Sequence, residues 1–181
     1  LLSAWKADPG KLTVGGGSSP GGPDHLAPML IAKAAGIDPK QVNFVSYDGG
    51  GELLAAVLGG QVKFGVTGVG ETKDQIEAGA IRPLAVTSTA PVEGLDVKTL
   101  KEQGIDLEFT NWRGWVAPPE LSQEDKQTLI DLATKMHDSQ QWKDALVKNG
   151  WTDAFVVGDE YAAFLKSEDQ RVADVLNQLG L

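Results

Sequence analysis

The stretch KLTVGGGSSPGGPDHLAPMLIAKAAG, residues 11–36, passes from a β-rich run through a glycine loop into an apolar helical pattern. Residues 11–16 predict a strand, and residues 24–36 predict a helix that Gly36 ends. Between them, seven of the thirteen positions from 14 to 26 are glycine or proline. Glycine lets a backbone approach another group closely, so this loop is a candidate binding element.

The same order of strand, glycine turn and helix recurs along the first 108 residues. The further predicted strands are VNFVSY (42–47), VKFGVTG (62–68) and IRPLAVTS (81–88), and the further predicted helices are GELLAAVLGG (51–60) and TKDQIEAG (72–79). Strict alternation implies parallel pairing with right-handed crossovers. This first half of the chain therefore predicts an α/β lobe, a parallel-rich sheet flanked by helices.

The pattern changes after Ser88, and beyond Pro118 and Pro119 the chain is almost wholly helical in pattern. A short helix is predicted at VKTLKEQG (97–104), followed by the extended stretch LEFTNWRGWVAP (107–118). Ser122 and Asp125 form a variant capping box that opens a helix, and two more helices are predicted from about Gln140 and from Asp159. No sheet is predicted in this part of the chain for the apolar faces of these helices to pack on. We therefore expect the segment to belong to another lobe, whose N-terminal part is absent from this chain.

Composition excludes several classes of function. The 181 residues carry 25 acidic and 16 basic side chains, a net charge of -9, so no cationic face for nucleic acid is expected. No apolar run approaches the ~18 residues of a membrane-spanning helix. There is no cysteine, and HExxH and GxSxG motifs are missing. We predict no cofactor, no metal site and no direct membrane insertion.

Three glycine turns are the candidate binding site. The loop after residue 16, the turn in YDGGGE (47–52) and the turn in VTGVGE (66–71) each lie between a strand and a helix, so they should meet at one sheet edge. Amides and helix N-termini there favour an anion, and Ser18 and Ser19 add hydroxyls. The alternative is a flexible surface loop. Carboxylates at these turns are expected to cap helices rather than to catalyse, and this group comprises Asp48, Glu52, Glu71 and Asp74.

The roles of His25 and of the tryptophans Trp112 and Trp115 each leave two interpretations open. His25 follows the glycine loop and either faces a ligand or packs. Trp112 and Trp115 point to opposite faces of an extended chain, so at most one reaches a cleft. We expect that one to be Trp112, with core packing as the alternative.

Three segments resemble a known family: DPGKLTVGGGSSPGGPDHLAPMLIAKAAGID, VNFVSYDGGGELLAAVLGGQVKFGVTGVGETKDQIEAGAIRPLAVTS and WRGWVAPPELSQED. They resemble the substrate-binding receptors of the tripartite tricarboxylate transporters, the Bug-type periplasmic solute receptors. The resemblance extends over the whole chain and implies a type II periplasmic binding protein-like fold. Residues 1–108 would be its second lobe, and residues 109–181 would return to complete the first.

The resemblance also implies a function. Such receptors close two lobes over a small carboxylate and deliver it to a membrane permease, which implies a periplasmic or cell-surface location with an export signal outside this chain. Carried over by position, the expected ligand-binding residues are Gly16, Gly17, Ser18, Ser19, Gly21, Gly22, His25, Tyr47, Gly49, Gly50, Thr67, Gly68 and Trp112. A sensor that signals to a membrane kinase is the alternative, and an enzyme acting on a carboxylate is the third hypothesis.

Two positions depart from many relatives and bear on the ligand. Asp48 stands where many carry a basic residue, and Thr67 stands where many carry aspartate. An aspartate would suit an amino group on the ligand, whereas threonine favours a ligand that presents only oxygens. The resemblance therefore implies a di- or tricarboxylate.

Overall fold

The chain folds into two compact units joined by continuous backbone. The computed structural model describes residues 1–179. One unit comprises Leu1–Asn111 together with the chain from Arg171 onward, and the other comprises Trp112–Gln170. The last two residues of the predicted segment 109–181 lie outside the described residues.

A three-stranded parallel sheet organises the first unit. Strand β1 (Val14–Gly16) is central, with β2 (Phe44–Ser46) on one side and β3 (Phe64–Val66) on the other. In this register Gly16 lies opposite both Ser46 and Val66, so the three strands end at one level. The predicted parallel pairing is confirmed, although each strand is shorter than its predicted run.

The helices of the first unit follow the predicted alternation. They are α1 (Leu2–Ala7), α2 (Pro23–Ala34), α3 (Gly50–Leu58) and α4 (Val69–Glu77), with single 3₁₀ turns at Pro9–Lys11, Pro39–Gln41 and Lys101–Gln103. Gly36, predicted to end α2, has a φ of 78°, a left-handed conformation that glycine adopts without a steric penalty. The predicted helix at 97–104 is reduced to the last of the 3₁₀ turns.

Apolar contacts fix these helices on the sheet. Trp5 and Val14 are fully buried in one cluster, and Leu53 is buried with Ala56 and Val62 in another. A Cβ added to Gly15 would lie 2.5 Å from Leu53 Cδ1, so a side chain in the middle of β1 would push α3 off the sheet. The packing of the Leu53 side chain of α3 on the sheet therefore requires glycine at position 15.

The predicted fourth strand at residues 81–88 is wrong. Within residues 1–179, this segment contributes one isolated parallel bridge, from Val86 to Thr99, and does not join the sheet. Leu100 donates its backbone N–H to the Val86 carbonyl at 2.9 Å, and Phe109 donates to the Thr87 carbonyl at 2.9 Å. The segment pairs with downstream chain instead, and Pro83 within it has no N–H to donate to a ladder.

Helices alone form the second unit. They are α5 (Gln123–His137), α6 (Gln140–Asn149) and the part of α7 (Gly158–Leu179) before Arg171. The predicted start of α5 is confirmed, since Ser122 Oγ accepts the Asp125 N–H at 3.0 Å and donates to Asp125 Oδ2 at 2.7 Å. None of the helices within residues 1–179 is long and apolar enough to span a bilayer.

The second unit leaves much apolar surface in solvent. Across residues 112–170, no side chain belongs to the buried core, and Trp115 is 74 % exposed. A groove of about 380 Å³ runs between α5 and α7, and it is lined mainly by apolar and aromatic side chains, among them Trp115, Leu129, Ile130, Tyr161 and Leu165. The apolar faces predicted for these helices are therefore real and are largely uncovered.

His137 ties the end of α5 to the segment that follows α6. Its Nε2 lies 2.9 Å from Asp153 Oδ2, its Nδ1 lies 3.1 Å from Asp138 Oδ1, and its ring stacks on Phe155 at 4.1 Å. The hydrogen bond to Asp153 is the main cause that raises the pKa of His137 above its ordinary value. The same bond lowers the pKa of the Asp153 carboxyl.

We expect replacement of His137 by glutamine to destabilise the protein at pH 5.5 and to have less effect at pH 8.5. Because the folded state raises the pKa of His137, its contribution is fully present below the unfolded pKa of about 6.5 and is lost as pH rises through the folded pKa. Melting temperatures of both proteins at the two pH values check this. An equal decrease in melting temperature at both pH values would contradict a role for the His137 imidazolium.

Candidate functional site

The carboxyl ends of the three strands place three turns at one edge of the sheet. Residues 17–22 follow β1, residues 47–49 follow β2, and residues 67–68 follow β3. Since Gly16 is level with Ser46 and Val66, these turns begin at the same height on neighbouring strands. The predicted side-by-side arrangement is confirmed, and it belongs wholly to the first unit.

The first and second turns touch each other at glycine residues. A Cβ added to Gly17 would lie 2.7 Å from the carbonyl carbon of Gly49 and 2.9 Å from the amide nitrogen of Gly50. Ser46 Oγ also donates to the Ser18 carbonyl at 2.9 Å, which fixes the first turn to the second strand. The first and second turns are therefore in backbone contact, which only a residue without a side chain at position 17 permits.

The three helices that leave this edge begin in the same way. Each has glycine at its N-cap (Gly22, Gly49 and Gly68), which supplies no capping side chain. In each helix, the side chain of the third residue accepts a hydrogen bond from the residue before the N-cap. His25 Nδ1 accepts the Gly21 N–H at 3.0 Å, Glu52 Oε2 accepts the Asp48 N–H at 3.1 Å, and Glu71 Oε2 accepts from the Thr67 hydroxyl.

Asp24 and Ser18 close the first turn. The Gly17 N–H donates to Asp24 Oδ2 at 3.1 Å, and the Asp24 N–H donates to Ser18 Oγ at 3.0 Å. The Gly22 N–H donates to the Ser19 carbonyl at 2.8 Å. The loop is thus a folded turn with its own hydrogen bonds and not a loose surface segment.

Several amides expected to face a ligand therefore have acceptors inside the protein. These are the amides of Gly17, Gly21, Gly22, Tyr47 and Gly49. The groups still available at the edge include first-turn amides of α3 and α4, which have no acceptor within their own helices, and the Ser19 hydroxyl, whereas the Thr67 hydroxyl donates to Glu71. The sequence pattern could not show this because each internal acceptor depends on how its helix meets its turn.

His25 is held by packing as well as by its hydrogen bond. It is 7 % exposed, and its ring meets Phe44 edge-on with centroids 4.8 Å apart. Burial lowers the pKa of His25, so the imidazole is neutral at pH 7, and its Nδ1 accepts a hydrogen bond. These contacts make His25 a residue that positions the first turn.

Tyr47 and Trp112 are placed in different surroundings. The Tyr47 N–H donates to the Gly16 carbonyl at 2.9 Å, and its side chain packs against the cluster that contains Leu53. Trp112 belongs to the second unit, where its Nε1 donates to Glu168 Oε2 at 3.0 Å and its ring meets Phe164 edge-on at 5.2 Å. The described contacts of Trp112 are those of a packed side chain.

Acidic side chains dominate the chemistry of this edge. Asp24, Glu52 and Glu71 all act as acceptors at helix starts, where the positive end of the helix dipole stabilises a carboxylate. Glu52 accepts a backbone N–H beside its N-cap, as predicted, whereas Glu71 accepts from a hydroxyl group, and Asp24 was not singled out from the sequence. Across residues 1–179, no three His, Asp or Glu side chains converge in a group that could hold a metal ion.

Comparison with known proteins agrees with this architecture. The sequence matches the tripartite tricarboxylate transporter family receptor over residues 1–181. The chain belongs to that family. Its members are periplasmic solute-binding proteins and not enzymes, so the family and fold class predicted from the sequence are confirmed.

Individual relatives are distant in sequence and longer than this chain. A UPF0065 protein from the gbd 5′ region of Cupriavidus necator is 30 % identical over 97 % of this chain and 53 % of its own length. A TctC solute-binding protein from Polaromonas, solved without ligand, is 26 % identical with a TM-score of 0.78, over 98 % of this chain and 60 % of that one. R. palustris Rpa4515, solved with adipate, is 24 % identical with a TM-score of 0.80, over 99 % of this chain and 59 % of that one.

We expect Gly17→Ala to destabilise the receptor by about 1–3 kcal/mol, because the new methyl would meet the Gly49 and Gly50 backbone, which cannot move without disturbing α3. Gly51→Ala is the matched control, since a Cβ at Gly51 has nothing within 4 Å. Alanine in a helix is favoured over glycine by up to about 1 kcal/mol, so the control should be neutral or stabilising. Urea unfolding measures both, and equal stabilities for the two variants would contradict the contact.

Proposed function

We propose that this chain is part of a receptor that holds a small di- or tricarboxylate and delivers it to a tripartite tricarboxylate-type membrane permease. The observation that carries the proposal is the contact of three strand-to-helix turns at one sheet edge. Parallel α/β sheets bind ligands outside the carboxyl ends of their strands, and helix N-termini favour anions there. Family membership supports a receptor rather than an enzyme.

The proposed ligand contacts are those predicted from the sequence, with roles that the geometry now distinguishes. Gly16, Gly17, Gly21, Gly22, Tyr47 and Gly49 are proposed to shape the edge, and His25 is proposed to hold Gly21 in place. Direct hydrogen bonds are proposed to come from Ser18, Ser19, Gly50, Thr67 and Gly68. Trp112 is proposed as a further ligand contact, as the resemblance implied.

The ligand class follows from the donors at the edge. Hydroxyl groups and helix amides are donors to carboxylate oxygens, and charge-assisted hydrogen bonds of this kind act at contact distance. The net charge of -9 is compatible with such a ligand because surface charge is screened beyond about 8–10 Å at physiological salt. The adipate bound by R. palustris Rpa4515 is itself a dicarboxylate, which supports the same class here.

We expect citrate, malate, succinate or adipate at millimolar concentration to raise the melting temperature of the full gene product. A ligand at about 100 times its dissociation constant adds about 2.7 kcal/mol to the free energy of unfolding, which corresponds to roughly 2–8 °C for domains of this size. Differential scanning fluorimetry with sulfate and glucose as controls measures it. If no acid in the panel shifts the transition more than sulfate does, the carboxylate assignment is wrong.

We further propose that residues 1–108 and 109–181 belong to different lobes, and that the second segment completes its core against another part of the full gene product. Within this chain, Phe109 and Val175 of that segment pack with the first unit. The uncovered groove between α5 and α7 supports the proposed division, as does the length of the relatives, of which this chain spans about 53–60 %. A lobe of that kind would cover the exposed Trp115 and Val116 side chains.

Tryptophan accessibility tests this division. Trp115 and Trp151 are 74 % and 59 % exposed in this chain, whereas Trp5 is fully buried. We expect acrylamide to quench the 181-residue chain much more than the full gene product, with Trp115→Phe removing a large part of the difference. Trp5→Phe is the control and should leave the difference unchanged. Equal quenching of the two proteins would contradict the proposed covering.

A further inference from the structure

Glu71 lies between the starts of two neighbouring helices. It is the third residue of α4, and its Oε2 accepts a hydrogen bond from the Thr67 hydroxyl in its own turn. The same carboxylate also lies against the first residue of α3. A Cβ added to Gly50 would be 2.7 Å from Glu71 Oε2 and 3.3 Å from Oε1.

Glu52 occupies the equivalent position in α3 but bonds within its own turn. Its Oε2 accepts the Asp48 N–H at 3.1 Å. Both glutamates are the third residue of their helix, both follow a glycine N-cap, and both side chains are exposed. Because Glu52 belongs to the first turn of α3 itself, the reference charge for Glu71 is Glu77, which is exposed at the last residue of α4.

The first turn of α3 is where a ligand carboxylate is proposed to bind. Its N–H groups have no acceptor within the helix, and it carries the positive end of the helix dipole. Glu71 places a negative group at that turn, and Gly17 approaches it from the other side. A ligand carboxylate entering the turn would meet a like charge at close range.

We propose that Glu71 is an internal competitor for the ligand carboxylate at the first turn of α3. This inference rests on the proposed receptor function. In the ligand-free protein, Glu71 compensates the positive helix terminus, and ligand binding displaces its carboxylate into the adjacent solvent. The affinity for carboxylates is thereby set below the value that the amides and hydroxyls alone would give, because each binding event must separate Glu71 from the turn.

The test compares Glu71→Gln with Glu77→Gln in the full gene product. Glutamine keeps the size and a hydrogen-bond acceptor but removes the charge. Isothermal titration with citrate, malate, succinate and adipate should show that Glu71→Gln binds the preferred acid roughly tenfold more tightly than the unmodified protein, since a like charge a few ångströms away has been removed. Glu77→Gln should change affinity by less than about twofold, because its exposed carboxylate at the last residue of α4 is largely screened.

The outcomes separate this inference from the function on which it rests. If the unmodified protein binds an acid and Glu71→Gln binds it equally or more weakly while remaining folded, the competitor role is overturned and the receptor function stands. If Glu77→Gln gains as much as Glu71→Gln, the gain is a general charge effect and the competitor role is again overturned. If no protein binds any acid, the receptor function fails and this inference fails with it.

A second measurement covers the case in which Glu71→Gln folds poorly. The carboxyl ¹³C signal of Glu71 can be assigned in the unmodified protein by its absence from the spectrum of Glu71→Asp. Addition of the preferred acid should shift that signal as the carboxylate leaves the turn, while the Glu77 signal stays in place. A Glu71 signal that is unchanged at saturating ligand would overturn the proposal.

Discussion

The common level at which three short parallel strands end is the constraint on which the rest of the site depends. Gly16 is opposite Ser46 on one side and Val66 on the other, so three turns start side by side. A shift of one residue in either pairing would move a turn out of contact and reverse the faces of the strand. The contact of Gly17 with the Gly49 and Gly50 backbone exists only in this register.

Glycine at the helix starts has a second consequence. Because Gly22, Gly49 and Gly68 bring no capping side chain, His25, Glu52 and Glu71 supply the missing interactions from inside the helices. The open backbone at each turn is thus stabilised without placing a bulky group where the chain must pass close to its neighbour. These interactions also leave the carboxylates of Glu52 and Glu71 at an edge that is proposed to bind an anion. The side chains at the helix starts and the proposed ligand would therefore occupy the same turns.

The two units differ in how completely they are packed. The first has buried clusters on both sides of its sheet, around Trp5 and Val14 on one side and around Leu53 on the other. The second consists of an extended stretch and helices whose apolar residues remain largely in solvent, among them Trp115 in the stretch and Leu132 and Val147 in the helices. The chain spans 60 % of the length of the solved TctC solute-binding protein from Polaromonas.

The sequence by itself determined the alternation of strands and helices, the parallel pairing, the family and the start of α5 at Ser122, because these follow from local periodicity, capping chemistry and turn residues. It did not determine the fate of residues 81–88, whose β-rich composition is satisfied by pairing of Val86 with Thr99 instead of by the sheet. Only the tertiary structure placed Asp24 on the Gly17 amide and Glu71 against Gly50, since these contacts require helices and turns to be positioned in space. The sequence indicates which groups are able to form hydrogen bonds, and the packing of α3 and α4 on the sheet decides which of these groups come into contact.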